Sequence, residues 1–487
     1  MNFTPIKTLL FLITVMVVFI VFNQLMPREI GGETFSLKFF KASKWFEKKE
    51  EIPVIEDIDA FLASRDSAVK NVDTTTVVVA DSKPTEVNFD RSQDITSLQF
   101  KDNNSKALFS FFEKLSKIKG SEQKLHILHY GDSQIESDRM TSVIREKLQG
   151  EFGGKGPGLI TPVPITGSAA ISQKNSANWK RYTAYGFSDG KSLHDDYGVM
   201  CSYARFTPAY SDDELASKDT TEAWLELKPS GMCSGNCKAY SQLSMLLGGN
   251  RTDVEVRVML EDTLYAVDIL PATNERYWKK YFIGNTPKNV KLLFKGIDSP
   301  DVQALLLEGW QGVQVDNIAL RGSSGTIFRK ISSHNFKREI DELNTGLIIL
   351  QFGGNSVPGL KDEKGASNFG SYFKSQIKHI QSLHPDIPII VIGPSDMSTS
   401  IDGEFQTWPY LEELNKAMRN AAWETGCGFW DMYEVMGGRN SMISWVNSNP
   451  PYAGTDYTHF TPKGARKMAE LFYSALHREY ELWSKAK

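Results

Sequence analysis

Five short apolar runs, Leu125 to Tyr130, Val315 to Leu320, Gly346 to Phe352, Pro388 to Gly393 and Gly428 to Met432, stand out as candidate buried strands. Around and between them, apolar residues recur at helical spacing in Ala107 to Ile118, Ser137 to Leu148, 334–343, 368–383, 408–424 and 463–482. A strand apolar on both faces needs cover on both faces. Strands alternating with helices supply that cover when the strands run parallel and the helices lie above and below them. The pattern therefore predicts an α/β fold, an α/β/α sandwich around a parallel sheet.

Residues 155–310 break this rhythm. Gly156, Pro157 and Gly158 open a stretch rich in Gly, Ser, Tyr and Asn. Its strand candidates are Ala223 to Leu227, Val254 to Leu260, Leu264 to Ile269, Trp278 to Ile283 and Val290 to Phe294, with no helices between them. Closely spaced short strands without helices are the pattern of a β-sandwich. The expected layout is an α/β domain in two parts, 96–154 and 311–487, with an all-β insertion at 155–310 between its first and second strands. Before it, residues 28–95 read as a membrane-proximal segment and linker. Phe39, Phe40, Trp45 and Phe46 suit either an amphipathic surface segment or a tether, and 66–95 lacks sustained periodicity.

Thr8 to Pro27 carries no charge, and about 20 such residues suffice to cross a ~30 Å hydrocarbon core. The run closes on Asn23, Gln24, Leu25, Met26 and Pro27 rather than on a small-residue cleavage site, and no cysteine follows to accept a lipid. Residues 1–27 are thus expected to be a transmembrane signal-anchor. Lys7 precedes the run while Arg28, Lys38, Lys41 and Lys44 follow it, a bias against export, although long domains translocate despite flanking charge.

Composition narrows the classes of function. With 55 Lys and Arg against 59 Asp and Glu, the formal charge is -4, too balanced to neutralise a phosphate backbone, so nucleic acid is not an expected partner. Of Cys201, Cys233, Cys237 and Cys427, only Cys233 and Cys237 lie close together. They lack the further ligands of a zinc site, and a local disulfide is preferred to two free thiols.

The chemistry-bearing residues fall where the predicted strands end. The first run leads into Gly131-Asp132-Ser133, and a serine at the carboxyl edge of a parallel sheet is exposed where such folds bind ligands. A serine hydroxyl needs a base to become a nucleophile, commonly a histidine oriented by a carboxylate. Asp456-Tyr457-Thr458-His459 supplies both groups on one loop. An acyl transfer also needs donors for the developing oxyanion. The Ser133 N–H, the Gly322 N–H just past the second strand, and the Asn355 amide just past the third are the candidates. Each motif alone is commonly a turn or a cap. Together they converge on one sheet edge.

On these residues the chain resembles the SGNH (GDSL-type) hydrolase superfamily, whose sequence blocks supply serine, glycine, asparagine and histidine. The resemblance is closer to bacterial peptidoglycan O-acetylesterases and the related O-acetyltransferases. It is carried by Leu128 to Ser133, Ile144 to Gln149, Phe152 to Gly158, Val315 to Ile318, Gly393 to Met397 and Asp456 to Gly464. It implies a flavodoxin-like parallel sheet interrupted by a carbohydrate-binding-module-like sandwich. It also implies Ser133 as nucleophile, His459 as base, Asp456 as orienting acid, and Gly322 and Asn355 with Ser133 as the oxyanion hole.

The implied activity is removal of O-acetyl groups from a cell-envelope or extracellular polysaccharide through an acyl-serine. It needs no metal or organic cofactor, and it carries an expected location in the periplasm or outside the cell. Transfer of the acetyl group to a sugar by the same triad is the nearest alternative, and a catalytically idle glycan-binding protein is the other. Gln134 departs from a histidine common after the nucleophile, and Ser356 from an acidic residue common after the asparagine. His126 and His129, on the first strand, read as structural. Trp179, Trp224, Trp278 and Trp310 suit either sandwich packing or sugar stacking.

Overall fold

Gly131, Ala319 and Gln351 sit level with one another at the carboxyl edge of a five-stranded parallel sheet. This computed structural model describes residues 95–487 apart from 187, 191–193 and 234, together with 55, 57–70 and short stretches within residues 10–34. The sheet strands are β1 (Lys124–Gly131), β2 (Gly312–Ala319), β3 (Thr345–Gln351), β4 (Ile389–Ile392) and β5 (Gly428–Trp430), in spatial order β2-β1-β3-β4-β5. Alternation sends Leu125, Ile127, Val315 and Ile349 into one core and Leu128, Tyr130, Ile348 and Leu350 into another. The longer helices that cover the sheet are α1 (Ile58–Lys70), α2 (Phe109–Ile118), α3 (Thr141–Phe152), α4 (Ser333–Glu342), α5 (Glu363–Leu383), α6 (Leu411–Glu424) and α7 (Pro462–Ala486). α1, α2, α3 and α7 cover the first face, and α4, α5 and α6 the second. The predicted parallel-sheet α/β/α architecture is present.

The chain divides into two units, Met1–Ile52 and Pro53–Lys487. In the first, the described helical residues fall between Leu10 and Val21, and Glu29–Ile30 pairs antiparallel with Glu33–Thr34. No helix among the described residues is long and apolar enough to cross a membrane. This corrects the expected transmembrane signal-anchor, and with it the membrane anchorage and the periplasmic or outer location. A crossing needs about 20 helical residues, more than are described here, and the rest of residues 1–27 lies outside the described residues. Phe39, Phe40, Trp45, Phe46 and 71–94 also lie outside them. Part of the expected linker packs on the second unit, because Ile58 and Leu62, one helical turn apart on α1, are buried in the first core.

Between α3 and β2 the chain forms two antiparallel sheets. One orders Thr263–Leu270, Val254–Leu260, Val290–Gly296, Thr221–Pro229 and Ile171–Asn175. The other orders Tyr277–Phe282, Gln242–Gly248, Asp301–Glu308, Ser202–Arg205 and Lys180–Thr183, with Gly158–Ile160 pairing to Asp301–Glu308. Leu225, Val256, Phe294, Leu305 and Trp179 fill the space between them. Cys233 and Cys237 are joined by a disulfide, and Cys201 and Cys427 are buried thiols.

A buried polar knot ties these sheets to the parallel one. His126 Nδ1 lies 2.8 Å from Asp316 Oδ2, and its Nε2 lies 3.3 Å from Glu308 Oε2. Asp316 Oδ1 accepts from Leu159 N at 2.7 Å. Burial works against the imidazolium, but the Asp316 and Glu308 carboxylates outweigh it and raise the His126 pKa to about 9. Among the described residues, no carboxylate pairs with His129. It contacts Gln351 Oε1 and Thr141 Oγ1, and burial pushes its pKa down to about 4.

Candidate active site

At the end of β1 the chain passes too close to its neighbours for any side chain at Gly131. A Cβ there would lie 2.8 Å from Ile135 and 3.0 Å from the Gln351 carbonyl. The backbone then turns, with Ile135 N donating to Asp132 O and Glu136 N to Ser133 O. Ser133 is thereby lifted to the sheet rim, half-buried, between the ends of β2 and β3.

The histidine arrives from the loop before α7. Thr461 caps that helix by accepting from Gly464 N, with Pro462 in the first turn, where a missing N–H costs nothing. The loop closes on itself, as Gly454 N donates to His459 O at 2.8 Å. Tyr457 adopts a left-handed φ of 54°, a strained conformation for a bulky residue. His459 Nε2 lies 2.7 Å from Ser133 Oγ, and His459 Nδ1 lies 2.7 Å from Asp456 Oδ2. The other Asp456 oxygen accepts from the Thr458 and His459 amides, each at 3.0 Å. Partial burial alone would raise the Asp456 pKa, but these amides and the imidazole hold it below the usual carboxylate value. Alcohol, imidazole and carboxylate form a continuous relay, the arrangement that activates a serine.

Gln134 connects the two loops. Its Nε2 donates to Thr458 O at 2.6 Å and to Ser395 Oγ at 3.2 Å, and its Oε1 accepts from Phe460 N at 3.4 Å. Sequence reasoning marked Gln134 only as a departure. Its adjacency to Ser133 was the available signal, but its partners lie more than 250 residues away.

The expected oxyanion donors are partly assembled. Ser133, Gly354, Asn355, Pro394, Met397 and His459 line one cavity of about 70 Å³. Asn355 Nδ2 donates to Asp132 Oδ2 at 3.2 Å and to Ser323 O at 3.1 Å. Gly322, at φ 76°, precedes Ser323 but is not among the residues lining the cavity. Its neighbour Arg321 grips Glu136, with Nε 2.8 and 2.9 Å from the two carboxylate oxygens and Nη2 2.6 Å from one of them. That pair ties the Gly322 loop to the Ser133 loop. Burial raises the Asp132 pKa to about 6, against the Gln134 amide that favours its charged form.

The GDSL-like lipase/acylhydrolase family model matches residues 298–467, a stretch that holds Gly322, Asn355, Asp456 and His459 and begins after Ser133. Among solved structures, a peptidoglycan O-acetylesterase aligns at 20% identity with a TM-score of 0.57, covering 77% of this chain and 96% of its own. A salicylyl-acyltransferase from a tetracycline biosynthetic pathway aligns at 11% identity and TM-score 0.28, covering 66% and 97%. An acetyl xylan esterase aligns at 16% identity and TM-score 0.24, covering 34% and 81%. No curated protein matches the chain.

Proposed function

We propose that the chain is a GDSL-like (SGNH-type) serine esterase removing O-acetyl groups from a peptidoglycan-like polysaccharide, a reading supported by the family match over residues 298–467. The observation that carries this reading is the relay of two 2.7 Å contacts from Ser133 through His459 to Asp456. In the proposed mechanism His459 takes the Ser133 proton as Oγ attacks the acetyl carbonyl. Asp456 stabilises the imidazolium and keeps the ring in the reactive tautomer. The tetrahedral oxyanion is held by the Ser133 amide and the Asn355 side chain, which frees itself by exchanging Asp132 or Ser323 O for the oxyanion, with the Gly322 amide, outside the cavity lining, as the third donor that the family resemblance implies. Collapse breaks the ester bond, His459 gives its proton to the departing sugar oxygen, and water then releases acetate from acetyl-Ser133 by the same steps.

The cavity size favours a small acyl group. About 70 Å³ is far below the ~300 Å³ at which pockets for larger ligands begin, so it suits an acetyl group better than a long chain. The peptidoglycan O-acetylesterase relative supports the polysaccharide part of the reading. The test is acetate release from O-acetylated peptidoglycan by the full chain. Ser133→Ala and His459→Ala are each expected to lower the rate by several orders of magnitude. Undiminished activity in either variant overturns the mechanism.

A further inference from the structure

Two exposed aromatic side chains contact the loops that surround the cavity without lining it. Tyr185 is 38% exposed and Phe405 is 40% exposed. Tyr185 follows the strand Lys180–Thr183 and lies against the loop after β2. Its Cε1 is 3.7 Å from where a Gly322 Cβ would be, and a Cβ on Gly186 would lie 3.2 Å from Arg321 O. Thr183 Oγ1 donates to Tyr185 O at 2.8 Å and fixes the backbone there. The Tyr185 phenol has no hydrogen-bond partner among the described residues.

Phe405 belongs to a different segment of the chain. It sits on a hairpin of Ser398–Ile401 and Glu404–Thr407, which follows β4. Ser398 N donates to Tyr457 O at 3.0 Å, and the Phe405 ring stacks on Tyr457 at 3.8 Å between centroids and 10° between planes. The hairpin is thus fastened to the loop that carries His459.

Strand order gives the span. Tyr185 contacts the loop that follows β2 and the Phe405 hairpin follows β4 in the chain, while the Ser133 and Asn355 loops follow β1 and β3, the two strands between them. Adjacent strands lie 4.7–4.9 Å apart, so the strand ends from β2 to β4 span about 14 Å, wider than a single sugar ring. The acyl cavity is too small to hold a sugar, which must therefore lie across its mouth.

We infer that Tyr185 and Phe405 are the end platforms of a cleft for an extended pyranose chain, with the acetylated sugar centred over Ser133. The inference rests on the esterase reading and specifies its substrate as a polymer recognised over several sugars. Pyranose rings present apolar C–H faces that stack on aromatic rings, and the Tyr185 phenol is placed to bond a sugar hydroxyl. One wall of the cleft then belongs to the residues inserted between β1 and β2.

The test uses the full chain with O-acetylated peptidoglycan disaccharide and tetrasaccharide fragments, and with 4-nitrophenyl acetate. The kcat/KM of the unaltered chain is expected to rise about ten-fold from disaccharide to tetrasaccharide, the scale of one or two aromatic contacts. Tyr185→Ala and Phe405→Ala are each expected to lose most of that gain, and Tyr185→Phe and Phe405→Tyr to keep most of it. The cleft is overturned if the gain persists in both alanine variants, or if they lose activity on the tetrasaccharide and on 4-nitrophenyl acetate by the same factor. Equal losses would make the two rings mere braces for the catalytic loops. Hydrolysis of 4-nitrophenyl acetate with no dependence on glycan length overturns the cleft but leaves the esterase reading standing. Failure to hydrolyse any of these esters overturns both.

Discussion

Replacing His126 with glutamine removes the cation that bridges two buried carboxylates, Asp316 and Glu308, of which Glu308 keeps a second partner in Lys124, and its effect has a definite dependence on pH. Free histidine titrates near 6.5, and in the fold its neighbours raise it to about 9. A folded pKa above the unfolded one contributes stability that is fully present below pH 6.5 and is lost as pH rises through 9. The shift of about 2.5 units corresponds to about 3 kcal/mol, at 1.36 kcal/mol per unit. His126→Gln keeps an amide donor for Asp316 but no charge. At pH 6 the variant should be less stable by about 3–5 kcal/mol, the usual cost of stripping one partner from a buried ion pair. By pH 9.5 the gap should close by about 3 kcal/mol. Urea unfolding of the full chain and the variant at pH 6, 7.5 and 9.5 measures the gap directly. A gap constant across that range would refute the assignment of a charged His126.

Other substitutions test the remaining links. Gln134→Ala removes the bonds to Thr458 O, Ser395 Oγ and Phe460 N and should lower kcat by about 100-fold through misplacement of His459. Its Tm should also fall, because buried partners are left unsatisfied, and an unchanged kcat would show that the His459 loop holds itself. Asp456→Asn should cost about 10⁴-fold in kcat by disturbing the imidazole tautomer, and an effect below ten-fold speaks against Asp456 as the orienting acid. Gly158→Ala would place a Cβ 2.2 Å from Asp316 Oδ1 at a φ of 78°. Strain and overpacking predict a loss of about 1–3 kcal/mol or more, visible as a lowered Tm, and an unchanged Tm would mean that the contact relaxes freely.

What was legible in the sequence, and what was not, follows from burial and distance. The five sheet strands were readable because each is a short apolar run bounded by helical patterns. The relay was readable because Ser133 follows one such run directly, and Asp456 and His459 share a single loop. Gln242–Gly248 and Asp301–Glu308 escaped notice because they are buried on both faces. Leu243 and Leu305 fill the sandwich, while Leu246 and Leu306 pack toward the parallel sheet, so no polar alternation marks them as strands. α1 was missed because two residues, Ile58 and Leu62, anchor it. Hydropathy at residues 8–27 suggested a membrane span that the described helix does not supply. Tyr185 reaches Gly322 across 137 positions, a proximity that only the pairing of the inserted sheets creates.

The most direct measurement of the central claim is reaction of the full chain with a fluorophosphonate, followed by peptide mapping of the adduct. A single modified hydroxyl, Ser133, is expected, with labelling slowed by orders of magnitude in His459→Ala. Modification at another residue, or labelling of Ser133 at the same rate without His459, would contradict it.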